Sequence, residues 1–239
     1  MVQPHYDLQP RRSLGSNYEV VEFLGSGFEG EVYKIVERRT GIVRAAKLFY
    51  ARRGAGKVPV LRYARKMYRL STCPILMQYH HRDFTQIRGQ KVEFLVSDFA
   101  DGEMLSQYLS RQRGKRLPPL EALHLLYALA SGIEQIHLLG HYHGDVHSGN
   151  IMVKRIGLGF DVKLLDLFDH GRSTREKIQN DVYHLINLLY EMIGGASGYQ
   201  KAPQSVKDII KGRKWSLVSR KFQTAAHLRM ALERLEWHD

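Results

Sequence analysis

At 239 residues with 44% hydrophobic side chains, the chain can bury a sizeable core as one domain or as two closely packed lobes. A lone cysteine, Cys73, excludes an intrachain disulfide and fits a reducing compartment. No run approaches the roughly 18 apolar residues of a membrane span, and the opening MVQPHYDLQPRR lacks a signal peptide's apolar core, so a soluble cytoplasmic protein is expected.

The net charge of +12 would attract acidic partners, nucleic acid or anionic membrane. Arg52, Arg53, Lys57, Arg62, Arg65, Lys66 and Arg69 crowd an interval, Glu37 to Asp83, with no acidic residue inside it. An acidic partner of this 51–70 region would be held in a salt-sensitive way. No nucleic-acid-binding motif accompanies the charge, and a solvated basic face is the plainer reading.

In chain order, residues 1–16 are polar, contain prolines, and read as a poorly ordered arm. From Tyr18 the pattern predicts three antiparallel strands, with turns at Gly25–Gly30 and near Thr40-Gly41. Residues 57–72 read as a helix with Val60, Tyr63, Ala64, Met67 and Leu70 on one face and the basic residues on the other. Apolar runs at Ile75–Tyr79 and Val92–Val96 would complete a five-stranded sheet. After Asp101-Gly102 the pattern turns helical. Leu117-Pro118-Pro119 opens a long helix with Leu126, Leu129, Ala130, Ile133 and Ile136 on one face, stopped at Gly140. A further helix opens at Asp181, another follows Pro203, and the last carries Ala225, Leu228, Leu232 and Leu235 inward.

Between the long helix and Asp181 lies His143-Gly144-Asp145-Val146-His147-Ser148-Gly149-Asn150, followed by hydrophobic runs, the second of which ends on Asp166. A carboxylate, an amide five residues later and a second carboxylate at a strand end are what phosphoryl transfer requires. By themselves these residues also make an ordinary polar turn. His143 and His147 have no Cys or third His spaced to join them in a zinc site. Upstream, Gly25-Ser26-Gly27-Phe28-Glu29-Gly30 has a spacing shared with dinucleotide-binding folds. There it opens a helix, whereas here it opens another strand, which then leads to Ala45-Ala46-Lys47.

Taken together, these motifs resemble the protein-kinase-like superfamily from about Tyr18 to the C-terminus: a Gly-rich loop, V-A-I-K, H-R-D-x-x-x-x-N and D-F-G. The resemblance implies a bilobal α+β fold, with a five-stranded antiparallel N-lobe sheet carrying one helix and a trimmed, mostly helical C-lobe. The arm would cover 1–16, the N-lobe 17–99 and the C-lobe 100–239. It also implies ATP and Mg²⁺ as cofactors and a hydroxyl as phosphate acceptor. Gly25, Gly27 and Gly30 would cover the phosphates, Lys47 would hold the α- and β-phosphates, and Asp145 would orient the acceptor. Asn150 and Asp166 would bind the metal. Leu24, Val32 and Ala45 would roof the adenine and Met152 would floor it. Asp98 and Ala100 would meet its edge through their backbone, Ser97 would stand at the back of the pocket, and Glu103 would reach the ribose.

Several positions depart from the regulated protein-kinase pattern. Gly144 replaces the arginine that reads a phosphorylated activation loop. His147 stands in the lysine position, and H-G-D-x-H-x-x-N is equally similar to the aminoglycoside and choline phosphotransferase branch. Only 14 residues separate Asp166 from Asp181, with no A-P-E between them. The helix has no glutamate to pair with Lys47, and Tyr63 stands closest to that position. Lys47 is therefore expected to pair chiefly with Asp166, with the Tyr63 hydroxyl second. Glu29, at the loop tip, is expected to turn outward or to pair with an arginine, and Glu31 to point away by strand alternation. Lys47 pointing to solvent, or pairing with Glu29 or Glu31, would mean that the kinase-like site is not assembled as expected, and a non-enzymatic pseudokinase would then overtake the enzyme as the first reading. Transfer to Ser or Thr of a protein is the first reading, a small-molecule kinase the second, and a nucleotide-binding interaction module the third.

Overall fold

The computed structural model describes residues 5–27, 29–50, 60–157, 159–167 and 171–236. Contacts divide the chain into two units: 1–71 with 77–100, and 72–76 with 101–239.

In the first unit, strand alternation builds one antiparallel sheet. Its members are β1 (Ser13–Leu14), β2 (Tyr18–Ser26), β3 (Gly30–Glu37), β4 (Val43–Phe49), β5 (Tyr79–Ile87) and β6 (Gln90–Asp98), in the order β1-β2-β3-β4-β6-β5. One helix, α1 (Val60–Arg69), lies between β4 and β5 in the chain. Val20, Tyr33, Ile35, Ala46, Leu48, Phe94 and Val96 form the core of one sheet face.

The arm corrects the sequence reading. Leu8 and Leu14 are 4% and 0% exposed within that same core, and β1 adds a sixth strand beside β2. Glu31 explains why a polar segment docks there. Its carboxylate is fully buried on the face of Tyr33 and Ile35, and accepts hydrogen bonds from the Tyr33 hydroxyl, the Tyr50 hydroxyl (3.0 Å) and the Tyr6 amide (2.9 Å). His5 Nδ1 lies 2.9 Å from the same carboxylate, and Tyr6 Oη donates to Phe49 O at 2.7 Å. Burial raises the Glu31 pKa, but the bonds from Tyr33, Tyr6, Tyr50 and His5 outweigh it and hold the group below its ordinary value. Burial and the bond to Glu31 push the Tyr50 hydroxyl up to about 12. The polar arm thus satisfies a buried carboxylate while its leucines extend the core. Leu14→Ala is expected to lower the unfolding free energy by about 2–4 kcal/mol. Urea titration checks this, and a change below about 0.5 kcal/mol would mean that the arm contributes little to the fold.

Two more expectations shift. Ile75–Tyr79 is not a strand, since β5 starts only at Tyr79. Instead Ile75 O accepts the Leu164 amide at 2.7 Å, Leu76 bridges Leu164, and Ile75 packs where Gly132 leaves no room for a Cβ (2.2 Å). Residues 72–76 therefore belong with the second unit. On α1, Val60, Tyr63, Ala64 and Met67 are buried as the spacing predicts, but Lys66 is buried with them. The expected helix start at 57 and the basic residues 52, 53 and 57 fall outside the described residues.

The second unit contains β7 (Glu103–Met104), α2 (Leu105–Arg111), α3 (Pro119–Leu138), β8 (Ile151–Ile156), β9 (Gly159–Leu164), α4 (Arg175–Met192), α5 (Gly195–Lys201), α6 (Gln204–Ile210), α7 (Trp215–Lys221) and α8 (Ala225–Glu233). Strands β7-β8-β9 form a small antiparallel sheet. Helix α3 starts with proline at its first position and buries Leu126, Leu129, Ala130, Ile133 and Ile136 completely. Helix α4 begins earlier than expected, at Arg175. Thr174 caps it by accepting from the Lys177 amide, which shortens the segment after Asp166 further. Among the described residues no helix is long and apolar enough to cross a membrane.

Candidate active site

The loop from His143 to Asn150 is held from below by α4. Asp181, 0% exposed, accepts the amides of His143 (2.7 Å) and Gly144 (2.8 Å) and lies 3.1 Å from His137 Nε2. Burial raises its pKa, but the hydrogen bond from His137, the neighbouring histidines and the Gly144 amide prevail, leaving it below its ordinary 3.8. Gly144 has φ 90°, a region that glycine enters without strain, so the residue in place of arginine also suits the local backbone. A second tie escaped the sequence reading: Ser148 Oγ donates to Glu191 Oε1 at 2.6 Å. Nothing in the one-dimensional pattern joins those two positions.

Above these anchors, Asn150 Nδ2 donates to Asp145 Oδ2 (2.8 Å) and Asp145 O (3.1 Å). Both acceptors are oxygens, so the amide orientation is determined and its Oδ1 is left to face elsewhere. Leu165 N donates to Asn150 O at 2.8 Å, which ties Asn150 to the residue between the end of β9 and Asp166. Asp166 has φ 50°, an uncommon left-handed backbone for a non-glycine residue. Its side chain is exposed, and Leu167 after it is buried. An amide oxygen and a carboxylate are hard ligands, the two protein donors that magnesium takes when phosphates and water complete its shell. Among the described residues no group of three or more His, Cys, Asp or Glu could hold a metal.

His147 sits beside this pair. Its Nδ1 accepts the Gly149 amide (3.1 Å), so the neutral ring carries its proton on Nε2, which is 3.6 Å from Asp145 Oδ2. The ring therefore faces the carboxylate with a positive edge.

In the first unit, register alone puts Val32, Ala45 and Lys47 on one sheet face. Val32 pairs with Lys47, Lys34 with Ala45, and Ala45 with Ser97. Lys34 joins that face, bonded to Glu22 and 4.8 Å from the Phe99 ring centre. Leu24, in the irregular stretch between Phe23 and Gly25, is 44% exposed. The three loop glycines differ. A Cβ on Gly25 or Gly27 would meet nothing within 4 Å, whereas one on Gly30 would lie 1.9 Å from Leu48 O. Gly30 is required by the close approach of β3 and β4, while Gly25 and Gly27 leave their space open.

Lys47 has a partner that the sequence reading placed outside the assembled site. Its Nζ lies 2.8 Å from Glu29 Oε2, with rings of Tyr63 and Phe49 at 5.1 and 5.7 Å. Glu29 therefore neither turns outward nor pairs with an arginine. The reason is that β3 starts at Gly30, so Glu29 belongs to the turn and escapes the alternation that sends Glu31 to the opposite face.

The remaining positions are spoken for in part. Asp98 binds Arg44 (2.8 Å) and His80 (2.6 Å) through its carboxylate. Its amide donates to Gln78 O and its carbonyl accepts from Ser97 Oγ. Ala100 is buried. In the second unit Glu103 is ion-paired with Arg111, and Met152 lies half-buried opposite Met104.

The sequence matches the family described as protein kinase domain over residues 18–208. The chain belongs to the protein kinase domain family. This kinase domain is 27% identical over 198 residues to cell division control protein 2 homolog C of Antirrhinum majus, covering 77% of this chain and 63% of that protein. It is 27% identical over 160 residues to a probable serine/threonine-protein kinase of Streptomyces coelicolor, covering 66% of this chain and 23% of that one. It spans less than two thirds of either relative's length. In fold it is similar to the kinase domain of Mycobacterium tuberculosis PknI, with a TM-score of 0.70 at 18% identity, covering 95% of this chain and 98% of that one. The antiparallel sheet of the first unit and the helices of the second are the N- and C-lobe elements of that fold.

Proposed function

We propose that this kinase domain transfers the γ-phosphate of Mg·ATP to a Ser or Thr hydroxyl of a protein. The observation that carries the reading is the Asp145–Asn150 pair at 2.8 Å, backed by Asp181. It presents one carboxylate to accept a hydroxyl proton and one amide oxygen toward a cation, with neither needing to reorganise. Asp145 orients the acceptor. His147 Nε2–H faces its carboxylate and keeps it directed. Asn150 and Asp166 would hold magnesium, which when bound neutralises charge on the phosphates. Lys47 binds the α- and β-phosphates, Gly25 and Gly27 admit them close to backbone amides, and Val32, Ala45 and Met152 supply apolar contact to adenine. Asp98 and Ala100 offer backbone groups to its edge, and Glu103 shares its charge between Arg111 and a ribose. A protein acceptor follows the Streptomyces coelicolor relative named above, described as a probable serine/threonine-protein kinase. An acidic partner for the basic 51–70 region remains part of this reading only as a salt-sensitive contact.

A nucleotide-binding pseudokinase is the second reading, favoured by the Lys47–Glu29 pair. The magnitude weighs against treating that pair as decisive. Its side chains are 14% and 28% exposed, and partly solvated ion pairs contribute about 1 kcal/mol or less. A magnesium-bound triphosphate, held through several charge-assisted hydrogen bonds, exceeds that.

Incubation with γ-labelled ATP and Mg²⁺, with and without cell extract, tests the reading. Label is expected on protein; label on small molecules would move the acceptor class, and no label would leave the pseudokinase. In parallel, Asp166→Ala is expected to abolish or greatly weaken calorimetric Mg·ATP binding, and unchanged affinity would remove Asp166 from the metal site.

Turnover is also expected to be independent of phosphorylation after Asp166. That segment ends at Thr174, and Gly144 removes the arginine that would read a phosphate there. Phosphatase treatment of the purified protein should leave the rate unchanged, and loss of turnover would contradict this.

A further inference from the structure

Glu29 is pinned rather than dangling. Gly27 N donates to Gly30 O at 2.9 Å, closing the turn, and Tyr50 N donates to Glu29 O at 3.0 Å, extending the β3–β4 ladder by one bond. Tyr50 in turn bonds to Glu31. The Glu29 side chain is therefore delivered to Lys47 Nζ from a fixed backbone point. A carboxylate and a phosphate are alternative anions for one ammonium, and at the loop tip they would also repel each other.

We infer that Glu29 is a latch on Lys47, a built-in anion that occupies the ammonium until the phosphates of a nucleoside di- or triphosphate displace it. The inference rests on the nucleotide reading of this site. It predicts a graded effect on ligands. The latch opposes any ligand that places phosphate on Lys47 and is indifferent to one that lacks phosphate. Removing the Glu29 charge therefore tightens Mg·ATP and Mg·ADP together and leaves adenosine alone. The alternative role, a carboxylate that stands in for the missing helix glutamate and steadies Lys47 while nucleotide is bound, predicts the opposite sign.

The experiment is calorimetric titration of the wild-type chain, Glu29→Gln and Glu29→Ala with Mg·ATP, Mg·ADP and adenosine. Thermal melting of each unliganded protein confirms that it is folded, and the second substitution serves if the first is not. Mg·ATP and Mg·ADP are expected to bind the variants about two- to five-fold more tightly, the range of one partly solvated ion pair, with adenosine unchanged. Equal or weaker nucleotide binding would overturn the latch. So would an equal gain for adenosine, because the change would then concern the pocket and not the phosphates. If the wild type and both variants bind none of the three ligands, the nucleotide reading itself falls and takes the latch with it.

Discussion

Replacing Asp145 by Asn is expected to lower phosphotransfer about 10²–10⁴-fold, the usual contribution of a positioned general base. The substitution keeps the shape of the side chain and its ability to accept the Asn150 Nδ2–H bond, now 2.8 Å long. It removes the negative charge that attracts and orients an acceptor hydroxyl. Mg·ATP affinity should stay within a few-fold, because Asn150 and Asp166, proposed to hold the metal, and Lys47, proposed to bind the phosphates, are untouched. Single-turnover rates with labelled ATP, beside calorimetric affinity, separate the two effects. Activity within about three-fold of wild type would show that Asp145 does not orient the acceptor.

Asp181→Ala is expected to destabilise the second unit by about 3–5 kcal/mol, the cost of deleting one side of a buried charged network. The loop amides of His143 and Gly144 would lose their acceptor, and His137 would face a cavity. Activity should fall even where the protein stays folded, because the backbone beneath Asp145 is released. The pH dependence has a definite sign. The folded pKa of Asp181 lies below its ordinary value of 3.8. Its contribution is therefore complete above about that pH and is lost as pH falls below it through the folded value. Asp181→Asn should flatten the acid limb of the stability profile relative to wild type. Chemical denaturation at a series of pH values checks both points, and an unchanged acid limb would mean that Asp181 is not ionised in the fold.

The difference between these two aspartates shows where a sequence is readable. Asp145 and Asn150 lie within one loop, so their spacing along the chain constrains their geometry directly. Asp181 has no such local constraint, because it stands 37 positions after Gly144 and only the seating of α4 closes that gap. Ser148 and Glu191 carry no such hint, and their bond was not foreseen. Glu29 is expected from the sequence to turn outward or to pair with an arginine, but it stands in the turn one residue before β3 begins and meets Lys47 instead.

Local pattern determined much of this protein by itself. Apolar periodicity located the helices now seen as α1, α3 and α8, and proline and glycine marked the ends of α3. The order of the glycine-loop, lysine, Asp145–Asn150 and Asp166 motifs carried the resemblance that the family match bears out. These signals are short-range, because a helix face, a turn or a ligand spacing is specified within a few residues. Tertiary structure decided the rest. It made an ordered sixth strand from a polar arm by burying Glu31 among hydroxyls and amides contributed by residues 5–50. It moved residues 72–76 into the second unit through Gly132, where a missing side chain lets Ile75 approach. It also brought Glu29 to Lys47 as a counter-ion. Each of these rests on a partner far along the chain whose distance no periodicity encodes, and on the penalty for leaving a buried polar group or charge without one.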